Sequence, residues 1–283
     1  MKSAIMLFLL VVFLESLVAQ SSHYLEYDKD LIDGAVHKAR RDKLNEEIGK
    51  EAVAVFYSAP ERTRNADVEY QYRQDDNFYY LTGFVEPNAV LVLVPKGYAV
   101  RDPRDTSKTM TVTELLFVEA RNPVREDWNG RMYGPEGAMQ LRGVQYATTI
   151  DRFQQMFGGM VFRGQAKNLY TPLFPSDFAG EIKETMKPVL DLIDRSRSNH
   201  AQVELRDPSA MVYRMRAVKS PEELAMITKA SQIGALAHRQ AMMSCEPGMY
   251  EYEIQGIYEY IYRKKGAEYN AYPCIVGAAE NSV

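Results

Sequence analysis

Cysteine is nearly absent from this 283-residue chain, which has only Cys245 and Cys274. Two cysteines exclude a disulfide scaffold and a multi-cysteine zinc site. They show no CxxC spacing, and the sequence leaves open whether they pair in an oxidising compartment. Histidine is scarce too: His23, His37, His200 and His238 stand at no ligand spacing, without HExxH or HxH. Each reads as a surface or structural histidine. A basic excess is lacking, since Lys+Arg 34 against Asp+Glu 38 gives a net charge of −4. Nucleic-acid binding draws on neutralised phosphates, so nucleic acid is not an expected partner. There is no GxSxG nucleophile turn, no GxxxxGK phosphate loop, no internal repeat and no low-complexity tract. One tryptophan accompanies nineteen tyrosines, a bias from which no function follows.

What is present is an ordinary globular composition, 46% hydrophobic and 25% charged, which is incompatible with a disordered or fibrous chain. The length suits two domains. Lys2, the unbroken apolar run Ala4 to Leu14 and the small residue Ala19 form the three-part pattern of a secretory signal peptide over residues 1–19. Eleven apolar residues are too few for a bilayer core, which needs about 20. No other stretch approaches a membrane span. The expectation is cleavage near Ala19 and export, periplasmic or secreted.

Periodicity then predicts an amphipathic helix over 28–50, with Leu31, Ala35, Leu44 and Ile48 among its apolar residues. Strands are expected at 51–59, 78–82, 89–94, 114–118 and 169–171. The run AVLVLV is apolar on consecutive positions, as a strand covered on both faces must be. Pro95, Lys96 and Gly97 should stop it. Helices are expected over 151–157 and 177–193, which makes the first two thirds an α/β domain. The polar stretch 194–207 reads as a domain linker. Ser220-Pro221-Glu222-Glu223 is a strong helix start, with a capping serine, proline in the first turn and glutamate three after the cap. That helix should run to about Met243. A second should run from Tyr250 to Lys265, followed by a strand at 269–276. The glycines of WNGRMYGPEG read as a turn-rich loop, since Pro135 lacks a donor and no strand leads in.

These motifs compose no complete active site. Longer strings are more specific. YRQDDNFYYLTGF over 72–84, with Glu86-Pro87, resembles the signature of the aminopeptidase P N-terminal domain. Phe117-Val118-Glu119, Asp127-Trp128-Asn129-Gly130-Arg131 and Gly134-Pro135-Glu136-Gly137 resemble its next block. MRAVKSPEE over 215–223, PGMYE over 247–251 and AYPCIVG over 271–277 look like the start of that family's second domain, in order. The chain is thereby similar to the Xaa-Pro aminopeptidases of the creatinase/prolidase superfamily.

The resemblance implies a creatinase-like N-terminal α/β domain over 24–196, followed at 198–283 by the beginning of a pita-bread α/β catalytic domain. It implies hydrolysis that releases the N-terminal residue of a peptide with proline second. The implied cofactors are two divalent metal ions, manganese in the usual case, which generate a nucleophile from bound water. The family's metal ligands (two Asp, one His, two Glu) lie beyond the matched residues, so the resemblance assigns no catalytic or metal residue here. The chain reads as a fragment, inactive and binding no metal, with about 150 further residues expected. The full-length enzyme would be a homo-oligomer acting on Xaa-Pro peptides. One substrate-contacting residue carries over. Tyr79 matches an aromatic that reaches toward a neighbouring subunit's active site, and strand alternation would put it opposite Phe78 and Tyr80. The other reading makes Tyr79 a packed sheet residue. Alternatives for the whole are prolidase, a non-catalytic protein-binding module of the same fold, and creatinase, which the signal peptide disfavours.

Overall fold

The computed structural model describes residues 31–163, 166–173, 190, 194 and 203–282. The signal segment and the helix expected over 177–193 fall outside them, apart from Leu190. Two compact units divide at Ala217/Val218.

The first unit is built on one mixed sheet. Its strands are β1 (Ala52–Tyr57), β4 (Val90–Arg101), β5 (Thr109–Val118), β6 (Ala147–Thr149), β7 (Asn168–Tyr170) and β8 (Glu204–Arg206), in the spatial order β6-β5-β4-β1-β7-β8. A separate hairpin joins β2 (Thr63–Asn65) to β3 (Val68–Glu69). β4 runs antiparallel to β1 and β5, while β1–β7, β7–β8 and β5–β6 are parallel pairs.

The helices of this unit are α1 (Gly34–Ile48), α2 (Asp76–Thr82), α3 (Pro123–Asn129), α4 (Gly134–Arg142), α5 (Phe153–Gly158) and α6 (Ser209–Ala217). They cover both faces of the sheet, and the strands alternate accordingly. Ala54, Phe56, Leu91, Leu93 and Leu116 point to one core with Leu44 of α1, Phe78 and Leu81 of α2, Ala138 of α4 and Val212 of α6. Val53, Val55, Val90, Val92, Leu115 and Phe117 point to the other, against Phe153 and Phe157 of α5. Two-sided burial is why these strands read as continuous apolar runs.

Several expectations need correction. Residues 78–82 are the end of helix α2, not a strand. Asp75 caps it by accepting from the N–H groups of Asn77 and Phe78, and Gly83 closes it at φ 64°. Pro95-Lys96-Gly97 does not stop β4. The register shifts between Leu93 and Tyr98 and the strand continues to Arg101. Gly97 has φ 89°, and a Cβ there would stand 2.6 Å from Thr111 Cγ2. The stretch read as a turn-rich loop, 128–137, is irregular only at 130–133: it holds the end of α3 and the first turn of α4, where Pro135 sits and its missing donor costs nothing. The stretch read as a linker contains β8. With α6 it belongs to the first unit, which therefore extends past 196, because Val212 and Met215 of α6 are buried in its core.

The second unit contains α7 (Pro221–Ser244) and α8 (Glu251–Lys264), which pack on one another. Ser220 accepts from the N–H of Glu223, whose carboxylate accepts from Ser220 N–H, completing the expected capping box. His238 of α7 meets Tyr258 of α8 edge-on at 5.0 Å. Residues 269–276 are irregular, not a strand, and end in a short 3-10 turn at Ala279–Asn281. No helix among the described residues is long and apolar enough to cross a membrane.

Candidate functional site

The block over 72–87 is the most specific string in the sequence, and its geometry is that of a cap on the sheet. Gln74 is buried and central. Its Oε1 accepts from the N–H groups of Ala59 (2.8 Å) and Asp75 (2.9 Å). Its Nε2 donates to the carbonyls of Phe84 (3.2 Å) and Glu86 (3.0 Å). Thr82 Oγ1 donates to Phe78 O at 2.7 Å and accepts from Phe84 N–H at 3.0 Å. Four of the block's recognisable residues, Gln74, Asp75, Thr82 and Gly83, thus satisfy backbone groups where helix and turn meet.

Tyr79 lies in this helix, so strand alternation does not apply to it. Successive side chains on a helix are about 100° apart, which lets Phe78 and Tyr80 both be buried with Tyr79 at the margin. Tyr79 is half-buried and meets the His37 ring edge-on, with centroids 6.0 Å apart. It does not stand free of the domain. The freely projecting aromatic of the second block is Trp128, the chain's one tryptophan, 87% exposed on α3. That helix is fixed by its Asn122 cap, which accepts from the N–H groups of Val124 and Arg125, and by a two-pronged pair of Arg121 with Glu126, both contacts 2.7 Å. Sequence reasoning quoted Trp128 and assigned it nothing. Its signal was an apolar residue among charged neighbours in a segment with no buried position to fill.

Beneath α2 lies a buried polar layer. His37 Nδ1 bonds the Tyr80 carbonyl at 2.9 Å, and burial pushes its pKa down to about 4, so it is neutral. Arg40 donates to the same carbonyl at 3.0 Å and sits 4.0 Å over the Tyr80 ring. Arg41 and Glu114 form a pair with no side-chain exposure, at 2.8 and 3.1 Å. Arg41 also donates to Leu81 O and Gly143 O. Glu86 accepts from Tyr133 N–H at 2.7 Å, and burial raises its pKa to about 7. These groups knit α1, α2, β5 and the α4 termini together. They present no nucleophile beside a base.

Among the described residues no three His, Cys, Asp or Glu side chains gather as a metal-binding group. The described residues therefore do not by themselves supply the two-metal centre that the resemblance implies for the complete enzyme. Cys245 and Cys274 are both free.

A mixed sheet covered on both faces, capped by these blocks and followed by a helical second unit, defines the class: an α/β protein of two units. Family models agree in both halves. The aminopeptidase P N-terminal domain matches residues 37–170, and metallopeptidase family M24 matches residues 225–283. The chain is 34% identical to an Xaa-Pro aminopeptidase of Escherichia coli over 86% of its own length and 52% of the relative's. It is 28% identical to human Xaa-Pro aminopeptidase 3, over 86% of this chain and 46% of that one. The solved aminopeptidase P from E. coli with the inhibitor Pro-Leu superposes with TM-score 0.73 at 32% identity, covering 88% of this chain and 54% of that one. Proline aminopeptidase P II from Yersinia pestis gives 0.74 at the same identity and coverage. Residues 37–170 thus belong to the aminopeptidase P N-terminal domain family and residues 225–283 to metallopeptidase family M24. It spans about half the length of the curated relatives it matches.

Proposed function

We propose that this chain is part of an Xaa-Pro aminopeptidase, a metal-dependent hydrolase releasing the N-terminal residue from peptides with proline second. The observation that carries this reading is the ordered match through both units to relatives bearing that name, at up to 34% identity. In this reading the described residues supply scaffold, and the metal-bearing part of the M24 domain lies outside them. The metal is two divalent ions, Mn²⁺ by the preference of hard carboxylate oxygen with histidine. The enzyme is exported through residues 1–19 and works as a homo-oligomer. Mass spectrometry of the mature N-terminus tests export: a start near residue 20 is expected, and an intact Met1 on exported protein contradicts it.

Peptide specificity tests the activity. A gene product carrying the whole M24 domain, loaded with Mn²⁺, should cleave Xaa-Pro peptides and leave matched Xaa-Ala peptides intact. Cleavage confined to dipeptides would favour prolidase, and binding without turnover would favour a protein-binding module. An aromatic from this unit is proposed to wall a neighbouring subunit's substrate site. Tyr79, half-buried with its ring edge-on to His37, is the residue that the family block suggests. In the oligomer, Tyr79→Ala should lower kcat/KM several-fold with little change in Tm, since a lost aromatic contact is worth about 1 kcal/mol. A large drop in Tm with unchanged kinetics would make Tyr79 a packing residue instead.

A further inference from the structure

Residues 277–282 form a tight turn that carries its own strain. A Cβ at Gly277 would stand 2.7 Å from the carbonyl oxygen of Asn281, and Ala279 adopts φ 48°, a conformation side chains rarely take. The 3-10 turn Ala279–Asn281 has no side-chain cap of its own. What holds the turn comes from elsewhere in the second unit. Glu251, the first residue of α8, accepts at Oε1 from Ala278 N–H at 2.8 Å and from Asn281 Nδ2 at 3.0 Å. The two bonds bracket the strained residue and fasten both of its sides to one carboxylate oxygen. They hold the Glu251 carboxyl below the usual carboxylate range. Charge-assisted bonds of this kind are about twice as strong as neutral ones. The helix start that presents Glu251 is itself fixed, because Glu253 accepts from Tyr250 N–H at 2.6 Å.

The clamped turn also walls a cavity of about 500 Å³, with Met249, Tyr252, Cys274 and Val276 among its lining. Without the carboxylate, Ala278 N–H and the Asn281 amide would lose the acceptor that offsets the Ala279 strain. The turn would then be free to relax away from α8.

We infer that Glu251 is a positioning residue, whose carboxylate sets the course of the chain through 277–282 and hence of the peptidase segment that continues from it. The catalytic consequence rests on the aminopeptidase reading proposed above, whereas the clamp does not. Two measurements separate them. In the 283-residue chain, Glu251→Ala should speed hydrogen exchange at Ala278 N–H at least tenfold and leave the mid-helix amides of α8 unchanged. Glu251→Gln, which keeps an uncharged acceptor oxygen, should fall between. Unchanged exchange at Ala278 would overturn the clamp. Faster exchange throughout α8 would overturn it too, by making Glu251 a general helix stabiliser. In a product carrying the whole M24 domain, Glu251→Ala should lower kcat about tenfold with KM and Tm nearly constant, and Glu251→Gln should recover part of it. Unchanged kcat with a released turn would overturn the positioning role. A parent product that cleaves no Xaa-Pro peptide would refute the aminopeptidase reading and with it the catalytic role. The exchange experiment would still decide the clamp.

Discussion

Arg41 and Glu114 face each other without solvent exposure, and each has further backbone partners, Leu81 O and Gly143 O for the arginine and Gln145 N–H for the glutamate. Truncating one partner leaves the other charge buried and unpaired, which costs about 3–5 kcal/mol. Arg41→Met should therefore lower the urea midpoint steeply, and a shift under 1 kcal/mol would mean that water reaches Glu114. Glu86 makes a pH prediction. Its folded pKa is about 7 against an ordinary 4.5, so the folded state holds more protons than the unfolded state between those values. Its contribution to stability must fall as pH rises from about 4.5 to 7. Glu86→Gln keeps an acceptor for Tyr133 N–H and should flatten that slope, raising stability at pH 7.5 relative to pH 4.5. An unaltered slope would show that Glu86 is ionised at neutral pH in the fold. At this scale the family block was legible as a string, but the work of its residues was not. Gln74, Asp75 and Gly83 act through backbone groups distant in sequence or through helix ends, and neither leaves a mark on periodicity.

Among the elements, β1, β4, β5 and β7 were readable because burial on both faces leaves consecutive apolar residues, and α7 because its capping box is local. The helix α2 was misread because NFYYLT is rich in residues that favour strands, while one buried helical face and two caps decided otherwise. The signals were present in Asp75 and Gly83. Residues 269–276 have strand composition, but among the described residues no strand pairs with them, and β-structure requires a partner. Ser220→Ala removes the acceptor for Glu223 N–H and should cost about 1 kcal/mol of α7 stability. Far-UV circular dichroism through a thermal melt would read it, and no change would mean that Pro221 and the acidic first turn suffice to start the helix.

For the whole molecule, composition and the ordered blocks already indicated an α/β protein with a second domain begun. The boundary was not legible, since Glu204–Arg206 is short and exposed and pairs with β7 some thirty-five residues away. Val212 and Met215 complete the first core, so a chain ending at Ala217 should unfold cooperatively. One ending at 196 should be less stable by several kcal/mol, at about 1.5–3 kcal/mol per buried apolar side chain. Equal denaturant midpoints would place α6 outside the folding unit. The central proposal is that the described residues are scaffold of an Xaa-Pro aminopeptidase whose metal site lies outside them. The most direct measurement is Mn²⁺-dependent release of the first residue from an Xaa-Pro peptide, compared between the 283-residue chain and a product carrying the whole M24 domain. The account predicts no turnover from the former and chelator-sensitive, proline-dependent turnover from the latter. Chelator-sensitive turnover by the 283-residue chain alone would contradict it.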